Sequence, residues 1–484
     1  LLRNAKNDVV GGTLPALVRW LCEEDRSAHS LPVRAFFLNF RFFTYAEALV
    51  ETILSVYHDP VDWHMQLHAV HFAFAWLKHY WLALDDSCAL RALCDFVQQE
   101  HDVRVQPSVD VLSSLIRWRL RLGHGVQFVQ LQLEPGPEGP EIQSVLLMPS
   151  GERLRLGLAG NENVEDKVPL TDGSPIYAST AGSRSRSRTP NLSKTLLSAL
   201  DSSDIYHVSV LDLDPMDLAQ QITIVESRLF SSIMPNELLF RNQCYMTSHT
   251  TTSMSSAIHS RVMSTLTTQI TNWIGECILR ETELKRRVSI LKYFVRLGSA
   301  ALELQNYNLL MAVQGALNSS TILRLKRTWA GLSSKALAAF EEQRVVMEHT
   351  RNFATYRARL RTAQGPVLPF LGLVLTDVTF CVGGNPKTRT GSNGTSLINF
   401  ARCTKLASIL GEVQRFQAHP FDLVEVPEIQ CFLTKLRNVS ALSGSSENYA
   451  AAAEQLYQRS LQLEPRENGT PMTRQRSNSI VPLP

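Results

Sequence analysis

Three histidines, His64, His68 and His71, recur at i, i+4 and i+7, a spacing that puts all three on one face of a helix and could in geometry bind zinc. Their neighbours are aromatic and no carboxylate or cysteine stands at ligand spacing, so partly buried helix histidines are the better reading and no metal is expected. Two carboxylate pairs, Asp85-Asp86 and Glu341-Glu342, are the candidates for general acid and base work. Both sit in amphipathic helical contexts, where solvated faces explain them. The aromatic run from Phe36 to Phe43 could stack nucleic-acid bases, but only Arg34 and Arg41 supply charge, and core packing is the expected role. The chain lacks GxxxxGK[ST], GxGxxG after a strand, HExxH and GxSxG, so nucleotide hydrolysis, dinucleotide chemistry and triad hydrolysis lose support and no cofactor is expected.

The frame around these residues is ordinary. Lys and Arg number 48 against 45 Asp and Glu, a net charge of +3 over 484 residues, which gives no reason to expect a nucleic-acid partner. Eight cysteines, at 22, 88, 94, 244, 277, 381, 403 and 431, form no CxxC or similar pair, which predicts reduced thiols and a cytoplasmic location. No apolar run approaches the roughly 18 to 20 residues needed to span a bilayer, and no signal peptide opens the chain. It begins at Leu1 without a methionine and is expected to be a piece of a longer protein.

Proline draws the organisation. Seven prolines fall between residues 135 and 190, beside the Ser/Arg run Gly182–Thr189, and that composition predicts a partly disordered linker over 126–205. The alternating Ser and Arg also fit a basophilic kinase site. Within the linker, Val126–Leu133 and Ser144–Met148 alternate like short strands. From Asn236 to Gly365 there is no proline, and apolar residues from Cys277 through Leu291, Val295, Leu302 and Leu310 to Leu317 recur mostly at three, four or seven, an amphipathic helical core. Asp214-Pro215 supplies a cap and a proline at the first helical position, starting a helix with apolar residues at 218, 222, 225 and 229. The N-terminal part reads as helical too: one helix starts at Thr13–Leu21 behind a Gly-Gly turn, and Trp63–Val97 runs without proline.

These blocks carry a resemblance. Asp214–Ser227 and Ile233–Leu238 resemble the opening of the Ras-type guanine-nucleotide exchange factor catalytic domain. Thr271–Ile274, Leu304–Leu309, Ala316–Ser320, Arg324-Leu325, Pro369–Asp377, Gly384–Pro386, Leu397–Phe400 and Ser460–Arg466 follow in the family's order over 212–466. Gly11–Val18 and Phe37–Thr44 resemble the Ras exchanger motif domain that usually precedes it and braces it. The wording of the hairpin is most like the fungal Ras exchangers. The resemblance implies an all-α protein: a Ras exchanger motif domain over 1–125, the linker over 126–205, a RasGEF catalytic domain with a protruding helical hairpin over 206–468, and a disordered tail over 469–484.

The function implied is guanine-nucleotide exchange on a Ras-family small GTPase, without covalent chemistry. A helical hairpin wedges switch 1 away from the nucleotide, a groove grips switch 2, and the nucleotide-free GTPase is the preferred partner, at the inner membrane surface. Carried over residue by residue, Phe370 lies at the hairpin base, Thr376 faces the GTPase and Asn385 follows the glycines. Met311, Asn318, Leu323 and Phe353 line the switch 2 groove, Thr265 is a further GTPase contact, and Lys405 is a basic residue near the start of the second hairpin helix. Where animal members such as son of sevenless carry a leucine that occludes the Mg²⁺ site and a glutamate that overlaps the α-phosphate, this chain has Thr379 and Gly383. A catalytically silent GTPase-binding scaffold is therefore the alternative function. Ser185, Ser187 and Ser477 are expected kinase sites. Pattern alone makes Leu371–Val382 a strand, whereas the resemblance makes it a helix.

Overall fold

Asp214 shows how the sequence writes its own helix boundaries. Its Oδ1 accepts the N–H groups of Met216 at 2.8 Å and Asp217 at 3.4 Å, and Pro215 takes the first helical position, where a missing N–H costs nothing. The computed structural model describes residues 1–23, 28–59, 62–130, 192–201, 208–240, 257–391, 394–441 and 446–466. Almost all of its regular structure is helical, as expected of an all-α chain.

In chain order the N-terminal elements are β1 (Leu2–Arg3), β2 (Val9–Gly11), α1 (Leu14–Glu23), α2 (Leu31–Asn39), α3 (Ala46–His58), α4 (Trp63–His79), α5 (Ala83–Asp86), α6 (Leu90–Val97) and α7 (Gln106–Gln130). There follow α8 (Lys194–Asp201), α9 (Pro215–Ser232), α10 (Pro235–Phe240), α11 (Ile258–Arg280), α12 (Leu284–Glu303), α13 (Tyr307–Leu317), α14 (Ser320–Leu323), α15 (Lys326–Ala330), α16 (Ser334–Val346) and α17 (Ala354–Thr362). The last group is α18 (Leu371–Gly383), β3 (Thr388–Thr390), β4 (Ser396–Ile398), α19 (Phe400–Gln417), α20 (Pro427–Ala441) and α21 (Ser446–Leu463). Residues 1–116 and 188–484 form one compact unit, and Arg117–Ser187 a second, of which only the last part of α7 is described.

The phenylalanine run is core. Phe36, Phe37 and Phe40 have no exposed surface, and Phe37 meets Phe72 with ring centroids 4.4 Å apart. Each such ring contributes about 1.5 to 3 kcal/mol by leaving water. The three histidines go to separate partners: His64 Nδ1 to Asp62 at 2.5 Å, His68 Nδ1 to the Cys22 carbonyl at 2.8 Å, and His71 Nε2 to Ser108 Oγ at 3.3 Å.

Two expectations need correction. Asp86 is not on a solvated face: it is fully buried, accepts Arg41 Nε at 3.2 Å and Leu82 N–H at 2.9 Å, and Arg41 also reaches the Tyr80 carbonyl at 2.9 Å. Burial raises the Asp86 carboxyl pKa and Arg41 pulls it back. This anchor lies just past the end of α4 at His79, and the proline-free stretch Trp63–Val97 holds α4, α5 and α6. Val126–Gln130 belongs to α7 rather than a strand; the rest of that expected strand and Ser144–Met148 lie outside the described residues. Within the expected linker, Lys194–Asp201 is a helix, because Leu196 and Leu200 bury their side chains and Lys435 Nζ donates to the carbonyls of Leu200 at 2.9 Å and Asp201 at 3.0 Å.

Candidate functional site: a braced helical hairpin

α18 is a helix against its own composition. β-branched and aromatic residues favour a pleated strand, yet Leu371, Leu373, Leu375, Val378, Cys381 and Val382 all bury on helical spacing, so packing overrides local preference. Its threonines satisfy themselves inside the helix, Thr376 Oγ1 donating to the Gly372 carbonyl and Thr379 Oγ1 to Leu375, both at 2.8 Å. The first turn has no side-chain cap of its own. Instead, Phe370 N–H donates to Tyr356 Oη at 2.9 Å and Leu371 N–H to Asn308 Oδ1 at 3.4 Å, so two other helices hold the hairpin base.

α18 and α19 form the hairpin, joined by the antiparallel ribbon β3–β4. At its turn Asn385 Nδ2 donates to the Cys381 carbonyl at 2.8 Å while Asn385 Oδ1 accepts Lys405 Nζ at 3.1 Å, which ties the end of α18 to α19. Two residues singled out from sequence thus meet directly. Gly383 is exposed with nothing within 4 Å of where a Cβ would stand, and Phe380 beside it is 72% exposed. On this face of α18 Phe380 and Gly383 are exposed, and Thr376 and Thr379 half-buried.

N-terminal elements grip the second hairpin helix. Gly12 and Ile398 exchange backbone hydrogen bonds at 3.2 and 2.8 Å, Trp20 meets Phe400 edge to face at 5.7 Å, Arg34 Nη2 donates to Gln414 Oε1 at 2.7 Å, and Asn39 Nδ2 reaches the Cys403 carbonyl at 3.4 Å. Phe400, Cys403 and Ala407 belong to the same apolar core as the phenylalanine run. α19 is thereby backed by a whole packed layer.

Beside the hairpin, Arg351, Asn352 and Phe353 adopt left-handed conformations in succession, with φ of 50°, 57° and 58°. Arg357 holds this turn against the hairpin: its Nε donates to the Asn352 carbonyl at 2.9 Å and its Nη2 to Asp377 Oδ1 at 2.7 Å. Phe353 is half-buried and lies 6.5 Å from the Tyr356 ring, so it joins Phe370 through Tyr356. The remaining candidates stand on other elements. Thr265 is exposed on α11, Met311 half-buried on α13 and Leu323 41% exposed on α14. Asn318, exposed at the end of α13, is steadied from behind by Gln314 at 3.0 Å, which in turn reaches Gln343 at 3.1 Å.

Sequence reasoning missed the supports. Tyr356, Asn308, Arg357 and Asp377 position the hairpin without being singled out, although Asn308 and Asp377 lie inside quoted blocks. Only Asp377 carried a signal, a carboxylate within the otherwise apolar word Leu371–Val382; Asn308, Tyr356 and Arg357 stand among other polar residues.

Residues 217–404 match the RasGEF domain family, a span that runs from α9 through α18 to the first turn of α19. The chain carries a RasGEF domain. It is 32% identical over 263 residues to Ras guanine nucleotide exchange factor A of Dictyostelium discoideum, covering 54% of this chain and 42% of that protein. It is 34% identical over 261 residues to cell division control protein 25 of Candida albicans (53% and 18%) and 30% over 315 residues to that of Saccharomyces cerevisiae (64% and 19%). The chain thus aligns to less than half the length of these relatives. Both fungal proteins match this RasGEF-bearing chain over more than half of its own residues, in keeping with the fungal wording of its hairpin.

Proposed function

We propose that this chain is a guanine-nucleotide exchange factor that binds a Ras-family GTPase, opens switch 1 with the α18–α19 hairpin, releases GDP and lets GTP load. The observation that carries the reading is the RasGEF match over 217–404, which takes in the first hairpin helix and the start of the second; the hairpin is held at its base by Tyr356 and Asn308 and along its second helix by the N-terminal core.

No bond is made or broken in this reaction. Mg²⁺ and phosphate oxygens are held by close charge interactions, so a small displacement of their ligands costs several kcal/mol and speeds release by orders of magnitude. The face of Thr376, Thr379 and Gly383, with Asn385 and Lys405 at the turn, is the wedge, and Phe370 fixes its base. Met311, Asn318, Leu323 and Phe353 form the grip on switch 2, and Thr265 is a further contact with the GTPase. The exchanger binds the nucleotide-free GTPase best, and by reciprocity it weakens nucleotide binding by the same free energy. Added GDP or GTP with Mg²⁺ therefore dissociates the complex. Among the described residues no helix is long and apolar enough to cross a membrane; we place the protein in the cytoplasm, acting at the inner membrane surface where its GTPase resides. Kinases acting at Ser185, Ser187 and Ser477, which lie outside the described residues, would govern location or partners rather than turnover.

The bare Gly383 favours a second reading, a GTPase-binding scaffold that leaves the nucleotide in place. Release of a fluorescent GDP analogue from Ras, Rap and Ral proteins separates the two. Acceleration of at least one supports exchange, and tight binding with no acceleration of any supports the scaffold.

A further inference from the structure

Behind the hairpin base lies a carboxylate that the exchange mechanism above does not use. Glu226 on α9 is fully buried, and among the described residues only amides serve it: Asn306 Nδ2 donates to Oε2 and Asn308 Nδ2 to Oε1, both at 2.7 Å. Each amide is committed on its other side. Asn306 Oδ1 accepts Leu309 N–H at 2.9 Å, and Asn308 Oδ1 accepts Leu371 N–H, the first of α18, at 3.4 Å. The nearby hydroxyls donate elsewhere, Thr223 Oγ1 to the Ala219 carbonyl at 2.7 Å and Thr267 Oγ1 to Met263 at 2.9 Å.

A proton on Glu226 would need an acceptor. The most weakly engaged one is Asn308 Oδ1, whose bond to Leu371 is the longest of this network. Turning the Asn308 amide over gives its oxygen to the new O–H, gives up the 2.8 Å bond from its Nδ2 to Thr267 Oγ1, and leaves its NH₂ facing Leu371 N–H, so the hairpin base loses a hydrogen bond.

We propose that Glu226 is a positioning residue for nucleotide exchange, whose protonation turns the Asn308 amide and unfastens the base of the hairpin helix. The proposal rests on the exchange reading given above. Burial pushes the Glu226 carboxyl up to about 7, with the two asparagine amides opposing it, so the change falls close to neutral pH. Among the charged side chains of the helices packed on α9, several are engaged elsewhere: His259 of α11 with Glu237, Arg287 and Arg296 of α12 with Glu464 and Asp214, and Lys435 of α20 with the Leu200 carbonyl; α11 and α12 also carry Arg261, Glu276, Arg280, Lys285, Arg286, Lys292 and Glu303, and α20 carries Glu428. α13 carries no charged residue.

The test is release of a fluorescent GDP analogue from a Ras-family GTPase by the full chain between pH 6 and 8, divided at each pH by spontaneous release. The wild-type ratio should rise about three- to tenfold with pH, the size expected of one neutral hydrogen bond. Glu226→Gln, whose amide must donate as well as accept, should hold the low-pH ratio throughout. Parallel profiles for the two proteins would overturn the proposal. Hydrogen exchange of the wild-type protein provides a readout that needs no variant: protection of the amides of 371–373, corrected for intrinsic exchange chemistry, should rise over the same pH window, and a flat profile overturns the coupling. A wild-type chain that speeds release at no pH would overturn the exchange reading, and the protection profile then decides the coupling by itself.

Discussion

The ring of Phe370 lies over Gly372: a Cβ on Gly372 would stand 2.5 Å from Cζ of Phe370. Only glycine lets the hairpin helix start beneath that ring. Gly372→Ala should therefore push the ring aside and lower GDP release at least about tenfold, since about 1.4 kcal/mol already gives that factor. Phe370→Ala should do the same. In a Phe370→Ala background the added methyl meets no ring and gains helix propensity of up to about 1 kcal/mol, so the double variant should release GDP no more slowly than Phe370→Ala alone. Strictly additive losses would mean that the contact does not position the hairpin. His64→Ala, on an exposed turn of α4, is the control and should leave the rate unchanged.

Phe353 occupies a left-handed conformation, φ 58°, which costs an L-residue roughly 1 to 2 kcal/mol. Phe353→Gly relieves that strain while removing a half-buried ring. Unfolding free energy should stay within about 1 kcal/mol of the parent, while the affinity for nucleotide-free GTPase falls at least about fivefold. Loss of stability with affinity intact would make Phe353 a packing residue only.

How much of this was legible beforehand depends on range. The cap at Asp214 and the buried phenylalanines are local or periodic signals, and both follow from the residues themselves. α18 does not, because its β-branched sequence prefers a strand and only burial against the rest of the fold makes it a helix. The Asp85-Asp86 pair illustrates the same limit: Arg41, 45 positions away, turns Asp86 into a buried ion-pair partner. The hairpin supports join residues 14 and 63 positions apart, Tyr356 to Phe370 and Asn308 to Leu371, and no spacing rule reaches that far.

Gly383→Glu tests whether an anion at the hairpin tip is missing. The position is open, so the variant should fold with unchanged thermal stability. Differential binding spread over a large interface predicts a change in GDP release of less than about threefold. An increase beyond about tenfold would show that charge competition at the phosphate, and not steric displacement, limits this exchanger.

Glu226 also makes a prediction for stability, with a definite sign. Its carboxyl titrates near 7 in the folded protein against an ordinary value of 4.5, because burial favours the neutral form. A carboxyl raised in this way contributes stability that is complete below about pH 4.5 and is lost as pH rises through about 7, where the fold must bury a charge that the unfolded chain leaves in water. Glutamine does not titrate and carries no such loss. The unfolding free energy of Glu226→Gln relative to wild type should therefore shift in favour of the variant between pH 4.5 and 8, by roughly 3 kcal/mol at about 1.4 kcal/mol per pKa unit. Urea titrations of both proteins across that range measure it. At pH 4.5 both side chains are neutral and glutamine's gain is absent, so any difference there reports the altered hydrogen bonds to Asn306 and Asn308 alone. A difference that stays constant with pH, or that moves against the variant, would mean that Glu226 is ionised at an ordinary pKa, and the hairpin base would then have no proton to answer to.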